Sequence, residues 1–487
     1  MTVNINLLRK LVGAVCVLIG TAMLPSVFVS LLFKEYRMAI IFASLFVVLA
    51  IFGFVLFYPI RKTTATIKTR EAFFIVALCW FLASVLSTIP FSLSGVVPNV
   101  FDAFFEAVSS ITTTGANSIG DITSFPKSLV FWRYFLTWIG GMGILLFAIS
   151  ILPALGIGTA NLLNAETVGS SIDKYKRRIS ENTKMVFLLY IALSALEFVL
   201  LLFSGMSPHS AMLNAFSSIS NSGISSDLGE VSNFNSLYIS IVIALFCVIG
   251  ATNFSTMQLI PRGRIKEFFR EPEIRVYFII VICVLFLVTC VLWAKGTYGG
   301  LVDTLQGSFL QIISFITTAG YSVTDYNDWP EFCKMLLFFV IFIGGCSAST
   351  SGGIKISRLM VIFMLIRRNL YKRLHPNAVV AVKIGERAIP ADKVSSITVF
   401  VIVYMLVFGF GSILLSLDGQ SLEVTMSSVI GALSNTGLNL GIHSFGEGYA
   451  VFSSLGKLLL SVLMLLGRLE LFALLILFTP TFWRGNR

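Results

Sequence analysis

Long apolar runs alternate with short amphipathic stretches along nearly the whole chain, in a regular order. Two runs, at 8–33 and 38–58, are joined through Lys34-Glu35-Tyr36-Arg37 and predict a helical pair. After a basic stretch at 61–70 a cycle begins: apolar span, short amphipathic segment, hydroxyl-rich motif, polar loop, apolar span. The first cycle takes spans at 72–94 and 128–155 around a short segment at 100–112. The second takes 184–204, 208–220 and 236–260, the third 274–294, 302–317 and 333–366, and the fourth 394–417, 421–434 and 452–479. About 20 apolar residues suffice to cross the hydrocarbon core of a bilayer, so ten full spans are expected. The short segments, such as Phe101-Asp102-Ala103-Phe104-Phe105-Glu106-Ala107-Val108, suit re-entrant helices that enter from the outside and stop halfway. The predicted fold is an all-α polytopic membrane protein with pseudo-fourfold symmetry. A transmembrane helix pair over 1–66 precedes four span, half-helix, loop, span repeats over 67–165, 166–265, 266–380 and 381–487.

Each cycle carries one motif directly after its half-helix. The motifs end in Thr112-Thr113-Thr114-Gly115, Ser220-Asn221-Ser222-Gly223, Thr317-Thr318-Ala319-Gly320 and Ser434-Asn435-Thr436-Gly437. Their glycines stand 108, 97 and 117 residues apart. Non-helical backbone at membrane depth is tolerated only where protein shields it or water fills the space it lines. One such cluster alone would equally suit close helix packing by small residues. Four in the same context point to four walls of one polar pathway, an ion filter. Glycine supplies a dihedral that side chains resist, and the residues before it would offer backbone carbonyls and hydroxyls to a dehydrated ion. The half-helices would aim their partially negative C-termini at a cation.

Two features below these motifs bear on control. The second span of the third cycle is interrupted by Gly344, Gly345, Ser349, Thr350, Gly352 and Gly353, ending at Lys355. Glycines disfavour helix and hydroxyls compete for backbone bonds, so this stretch is expected to unwind. It lacks the spacing of a phosphate-binding loop. Arg468 stands in the last span, where a charge is costly and marks a functional position by default; the bland alternative is a pair with Glu470. Lys355 and Arg358 suit either loop anchoring or snorkelling to the surface. Glu197 is expected to make a structural polar contact.

Composition narrows the class. Of 487 residues, 56% are hydrophobic and 12% charged, with mean hydropathy +0.90, which excludes a soluble domain. The net charge of +11 comes from basic clusters at 61–70, 174–184, 262–275 and 367–393 that fall on alternate sides of the spans. They read as cytoplasmic loops, with both termini cytoplasmic, rather than as a nucleic-acid surface. Carboxylates such as Asp121, Asp227, Glu230, Asp325 and Glu447 fall on the other face. The basic excess would also attract anionic membrane lipid or a cytoplasmic partner. Seven cysteines and three histidines show no ligand or disulfide spacing, and no Ser/His or metal cluster suggests an enzyme. The first apolar stretch reads as a retained helix.

The cycle and its four motifs resemble the Trk/Ktr/HKT superfamily of potassium transporters over essentially the whole chain, closest to the membrane subunit of bacterial Trk systems. The two N-terminal spans are a feature of the Trk type. The resemblance implies potassium uptake across the bacterial inner membrane, with K⁺ held at the sixteen motif residues. It implies a gate formed by the interrupted segment and by Arg468 projecting into the pore. It further implies a homodimer and a cytosolic nucleotide-binding ring protein, TrkA, through which NAD, ATP or ADP would act; this chain has no nucleotide fold of its own. None of the motifs carries the Thr-Val-Gly-Tyr-Gly signature of dedicated potassium channels, so looser selectivity, admitting Rb⁺ and some Na⁺, is expected. Ion-coupled symport with protons or sodium is an alternative. A broken-helix solute carrier fits less well, because that design shows two inverted repeats.

Overall fold

A computed structural model describes residues 5–57, 69–97, 99–120, 124–143, 179–224, 237–378, 380–385, 387–442 and 448–483. The basic stretch at 61–68, most of that at 174–184, and Asp121, Asp227, Glu230 and Glu447 lie outside the described residues.

The N-terminal pair is α1 (Ile5–Ala22), continued after a one-residue break by α2 (Leu24–Leu32), and α3 (Tyr36–Phe57). Pro25, in the first turn of α2, lacks an N–H to continue the ladder, which places the break there. Gly13 and Gly53 let α1 and α3 touch backbone to backbone, the use small residues find inside membranes. The pair also caps the first repeat: the Glu35 carboxylate accepts from the N–H groups of Lys127 (2.7 Å) and Ser128 (3.0 Å). These open a helix whose own N-cap, Pro126, has no side chain to offer.

The four repeats follow. The first spans are α4 (Thr69–Ser94), α7 (Ile179–Phe203), α12 (Pro272–Ala294) and α16 (Ala391–Leu415). The half-helices are α5 (Val100–Ile111), α8 (Pro208–Ile219), α13 (Leu301–Ile316) and α17 (Leu422–Leu433), within a residue or two of the predicted bounds. Their starts are set by Asn99, Ser207 and Ser421, whose side chains accept the first free N–H groups. The second spans begin as α6 (Lys127–Gly141), α9 (Leu237–Gly250), α14 (Glu331–Ile341) and α18 (Ser454–Arg468). Short pieces complete the described chain: α10 (Phe254–Met257), α11 (Ile265–Arg270), α15 (Ile356–Leu374), α19 (Phe472–Leu475), α20 (Pro480–Trp483) and a hairpin pairing Lys383 with Ala388.

Six described helices are long and apolar enough to cross a membrane, up to seven if the bent pair at Ser454–Phe478 is one span; the predicted span at 128–155 lies outside the described residues beyond 143. The other three second spans are discontinuous. Beyond α9 the helix stops at Gly250, α14 stops at Ile341, and α18 turns by 110° after Arg468. Interruption is therefore a property of several repeats and not of the third alone.

Packing closes the repeats into a ring. Each second span lies against the half-helix of the next repeat: α6 on α8, α9 on α13, α14 on α17, and α18 back on α5. The half-helices are consequently buried toward their C-terminal ends, while α3 and α16 expose most of their apolar surface. That is the order expected when polar backbone is shielded by protein and apolar helices face lipid.

Candidate ion pathway

All four half-helices end in the same way. Their C-cap residues Thr112, Ser220, Thr317 and Ser434 have φ between −86° and −83° and ψ within 6° of zero. The next residue is left-handed in every case: Thr113 (φ 59°), Asn221 (52°), Thr318 (57°) and Asn435 (53°). The glycines follow at φ 74°, 47°, 84° and 69° for Gly115, Gly223, Gly320 and Gly437. For Thr113 and Thr318 such a conformation costs about 1–3 kcal/mol and persists only where the surroundings enforce it. The turn thus needs two left-handed residues per loop, of which the sequence pattern exposes one.

This backbone turns amides away from the axis. Thr114, Ser222, Ala319 and Thr436 donate their N–H groups to the carbonyls of Ser109, Ser217, Ser314 and Gly431, at 2.8–3.0 Å. Among the described residues no protein donor reaches the carbonyls of 112–115, 220–223, 317–320 or 434–437. The hydroxyls make bonds within their own repeats. Thr112 Oγ1 donates to Val108 O (2.7 Å) and Thr317 Oγ1 to Ile313 O (2.8 Å). Ser220 Oγ lies 3.1 Å from Ser222 Oγ, and Ser434 Oγ 2.7 Å from Thr436 Oγ1. These bonds brace the loops.

The loops meet. A methyl group on Gly115 would strike the Ser222 carbonyl oxygen, one on Gly223 that of Ala319, one on Gly320 that of Thr436, and one on Gly437 that of Thr114. Each glycine abuts the residue preceding the next repeat's glycine, and the fourth returns to the first. All four glycines line one open pocket, which also receives Asp325 and Arg133.

Three loops share a further support, three residues past the glycine. The N–H of Ser118 donates to Glu106 Oε1 (2.7 Å), that of Val323 to Gln311 Oε1 (2.9 Å), and that of Leu440 to Ser427 Oγ (2.8 Å). Glu106 is fully buried and faces Arg133 at 2.7 Å; Arg133 in turn donates to Ala116 O (3.0 Å). The pair brings no net charge to the pocket, leaving Asp325 as the carboxylate on its lining among the described residues.

Beneath the loops the repeats share one more position. Gly140, Gly250 and Gly467 would each drive a Cβ into a half-helix carbonyl, of Ile111, Ile219 and Leu433 respectively, so only glycine permits the approach. Gly344 is the corresponding residue of the third repeat and presses instead on the Gly352 carbonyl. The residue after this glycine is Gly141, Ala251, Gly345 or Arg468. Arg468 donates to the carbonyls of Thr350 (3.0 Å) and Gly141 (3.2 Å) and also to Gly140.

The predicted interruption is a loop, pinned by a bridge between Ile343 and Ile354. It crosses under the filter: Thr350 N–H donates to Gly250 O (3.1 Å), Gly352 N–H to Thr318 Oγ1 (2.9 Å), and Gly352 packs on Ser434. Lys355 Nζ donates to Ser351 O, which favours anchoring over snorkelling. Arg358 is 7% exposed, pairs with Glu470 and stacks 3.9 Å from the Phe400 ring centre. Glu470 is therefore the partner of Arg358, and Arg468 donates to backbone carbonyls. Glu197 is fully buried and accepts from Ser218 Oγ on the second half-helix, a structural contact as expected.

Residues 39–484 match the family model "TrkH: Cation transport protein". The "Trk system potassium uptake protein TrkH" of Salmonella typhimurium is 36% identical over 98% of this chain and 99% of that protein. The protein of the same name from Halomonas elongata is 33% identical over 99% and 100%. The crystal structure of the potassium transporter TrkH from Vibrio parahaemolyticus superposes with a TM-score of 0.87 at 33% identity, covering 99% of this chain and all of that one. These relatives are named as transporters rather than enzymes.

Proposed function

The chain belongs to the TrkH family of cation transport proteins, a multi-pass membrane family, and from that premise we propose that it carries K⁺ inward across a bacterial inner membrane. The observation that supports this reading most is the closed ring in which each filter glycine touches the next repeat's carbonyl. Four loops of main-chain oxygens around one axis replace a hydration shell without a charged ligand, and an alkali cation is the ion that such oxygens select. The half-helices add partially negative C-termini aimed at the same point.

Beneath this ring, the loop at 344–355 and Arg468 form the gate. The loop spans from repeat 2 to repeat 4, and Arg468 ties it to repeat 1 through carbonyls of Gly140 and Gly141. Conduction then requires the loop to leave. The basic segments at 262–275 and 367–393, on α11, α15 and the hairpin, form the cytoplasmic face and dock a nucleotide-binding ring protein that controls the gate. Two copies of the chain assemble as a dimer, each with its own pore.

Radioactive Rb⁺ uptake into potassium-depleted cells tests the reading. Cells expressing this chain should accumulate Rb⁺, with K⁺ competing better than Na⁺. Uptake no better than vector alone, or equal competition by both ions, would overturn it.

A further inference from the structure

The left-handed residues at the filter are braced from unequal places. Asn435 is held within the static wall: Nδ2 donates to Met464 O (2.9 Å) on α18 and to Thr114 Oγ1 (3.1 Å). Thr318 instead leans on the gate loop, its Oγ1 accepting from Gly352 N–H (2.9 Å). Asn221 does the same, in the amide orientation that satisfies both ends. Its oxygen accepts from Ala251 N–H (3.0 Å) and faces Thr350 Oγ1 (3.2 Å), and its nitrogen donates to Cys247 O (3.0 Å) and Ser218 O (3.1 Å). Thr350 Oγ1 also lies 3.0 Å from Ile219 O and 2.9 Å from Gly250 O, at the end of the second half-helix.

A left-handed threonine has no preference for its conformation, and it is held there only by its neighbours. Residues that support the filter of repeats 2 and 3 therefore sit on the element that has to move. We propose that Asn221 and Thr318 are positioning residues for ion selection whose partners Thr350 and Gly352 make the gate loop part of the filter's scaffold. Ion discrimination then depends on where the loop sits: repeats 2 and 3 lose a hydrogen-bonded brace when it leaves, while Asn435 of repeat 4 keeps its hydrogen bonds and loses only the packing of Gly352. The inference rests on the cation-transport reading above.

The test uses the full chain in proteoliposomes and reads both total K⁺ flux and the K⁺/Na⁺ permeability ratio from reversal potentials. Thr350→Val keeps the side-chain volume, lies outside the filter and removes the hydroxyl; Thr318→Val removes it from the filter side. Each should lower the permeability ratio by about threefold to tenfold, the weight of one buried hydrogen bond. Thr350→Ser and Thr318→Ser, which keep the hydroxyl, should restore it. The double Val variant should fall by less than the product of the two singles, because both act on one loop. A change in flux with an unchanged ratio in the Thr350→Val protein would overturn the inference and leave the loop as a plug alone. Absence of K⁺-selective flux in the unmodified protein would instead overturn the transport reading itself.

Discussion

The filter loops and the layer of chain just beneath them descend from the same repeat, yet they differ sharply in symmetry. Above, four C-caps agree within a few degrees, and four left-handed residues and four glycines occupy equivalent positions. Below, the same glycine position is followed by Gly141, Ala251, Gly345 or Arg468, and the chain leaves it as a short turn, a long loop or a 110° bend. An ion surrounded by oxygens gains from equal ligands on every side, which keeps the upper layer alike. A closed path needs one obstruction that can move, and one is enough; the lower layer is free to diverge. The asymmetry sits in the layer that the proposed function assigns to the gate.

The comparison breaks first at the glycines. Gly115→Ala, Gly223→Ala, Gly320→Ala and Gly437→Ala each add a methyl against a neighbouring carbonyl at positive φ. The left-handed strain alone costs about 1–2 kcal/mol, and the clash adds to it. All four should abolish Rb⁺ uptake alike; one variant that transports normally would show that its repeat is no wall of the filter. Next comes the buried pair behind the first loop. Glu106→Ala leaves Arg133 buried and unpaired, a loss of about 3–5 kcal/mol of stability that thermal unfolding in detergent should report. Glu106→Gln should cost less, since Gln311 supports the third loop from the matching position.

Arg468→Ala probes the lower layer. Under the proposed gate role, removing its charge relieves about 1–2 kcal/mol of repulsion at an effective dielectric of 20. K⁺ flux in proteoliposomes should therefore rise by about tenfold; an unchanged flux would make the arginine a structural tie. The smallest effect belongs to the mouth. Asp325→Asn removes a carboxylate lining the pocket, and should weaken apparent K⁺ affinity by about twofold to threefold at low ionic strength, with the difference vanishing in high salt.

How much of this was legible follows from the same contrast. The half-helices announce themselves: an amphipathic turn or two followed by a glycine marks each one, with a polar cap before three of them, so α5, α8, α13 and α17 fall where the pattern puts them. The breaks in the second spans do not. Gly140, Gly250 and Gly467 each close an apolar run, and glycines are ordinary in membrane helices. Their role comes from a half-helix carbonyl that arrives from elsewhere in the chain. The pairing of Arg358 with Glu470, 112 residues apart, is likewise set by the ring and not by local spacing. Glu106 and Gln311 share a position nine residues before the glycine and Ser427 stands one residue earlier in its repeat, which the pattern hid because three different side chains perform one task. Asn221 and Asn435 carried a hint of left-handed backbone, since asparagine tolerates it; Thr113 and Thr318 carried none.

The central claim is that four loops offer one cation a common ring of main-chain oxygens. Anomalous scattering from the protein crystallised in Rb⁺ tests it directly. The account predicts a peak on the axis, level with the carbonyls of Thr114, Ser222, Ala319 and Thr436 and within bonding reach of all four loops. Rb⁺ found against a single repeat, or no peak among the loops at saturating Rb⁺, would contradict it.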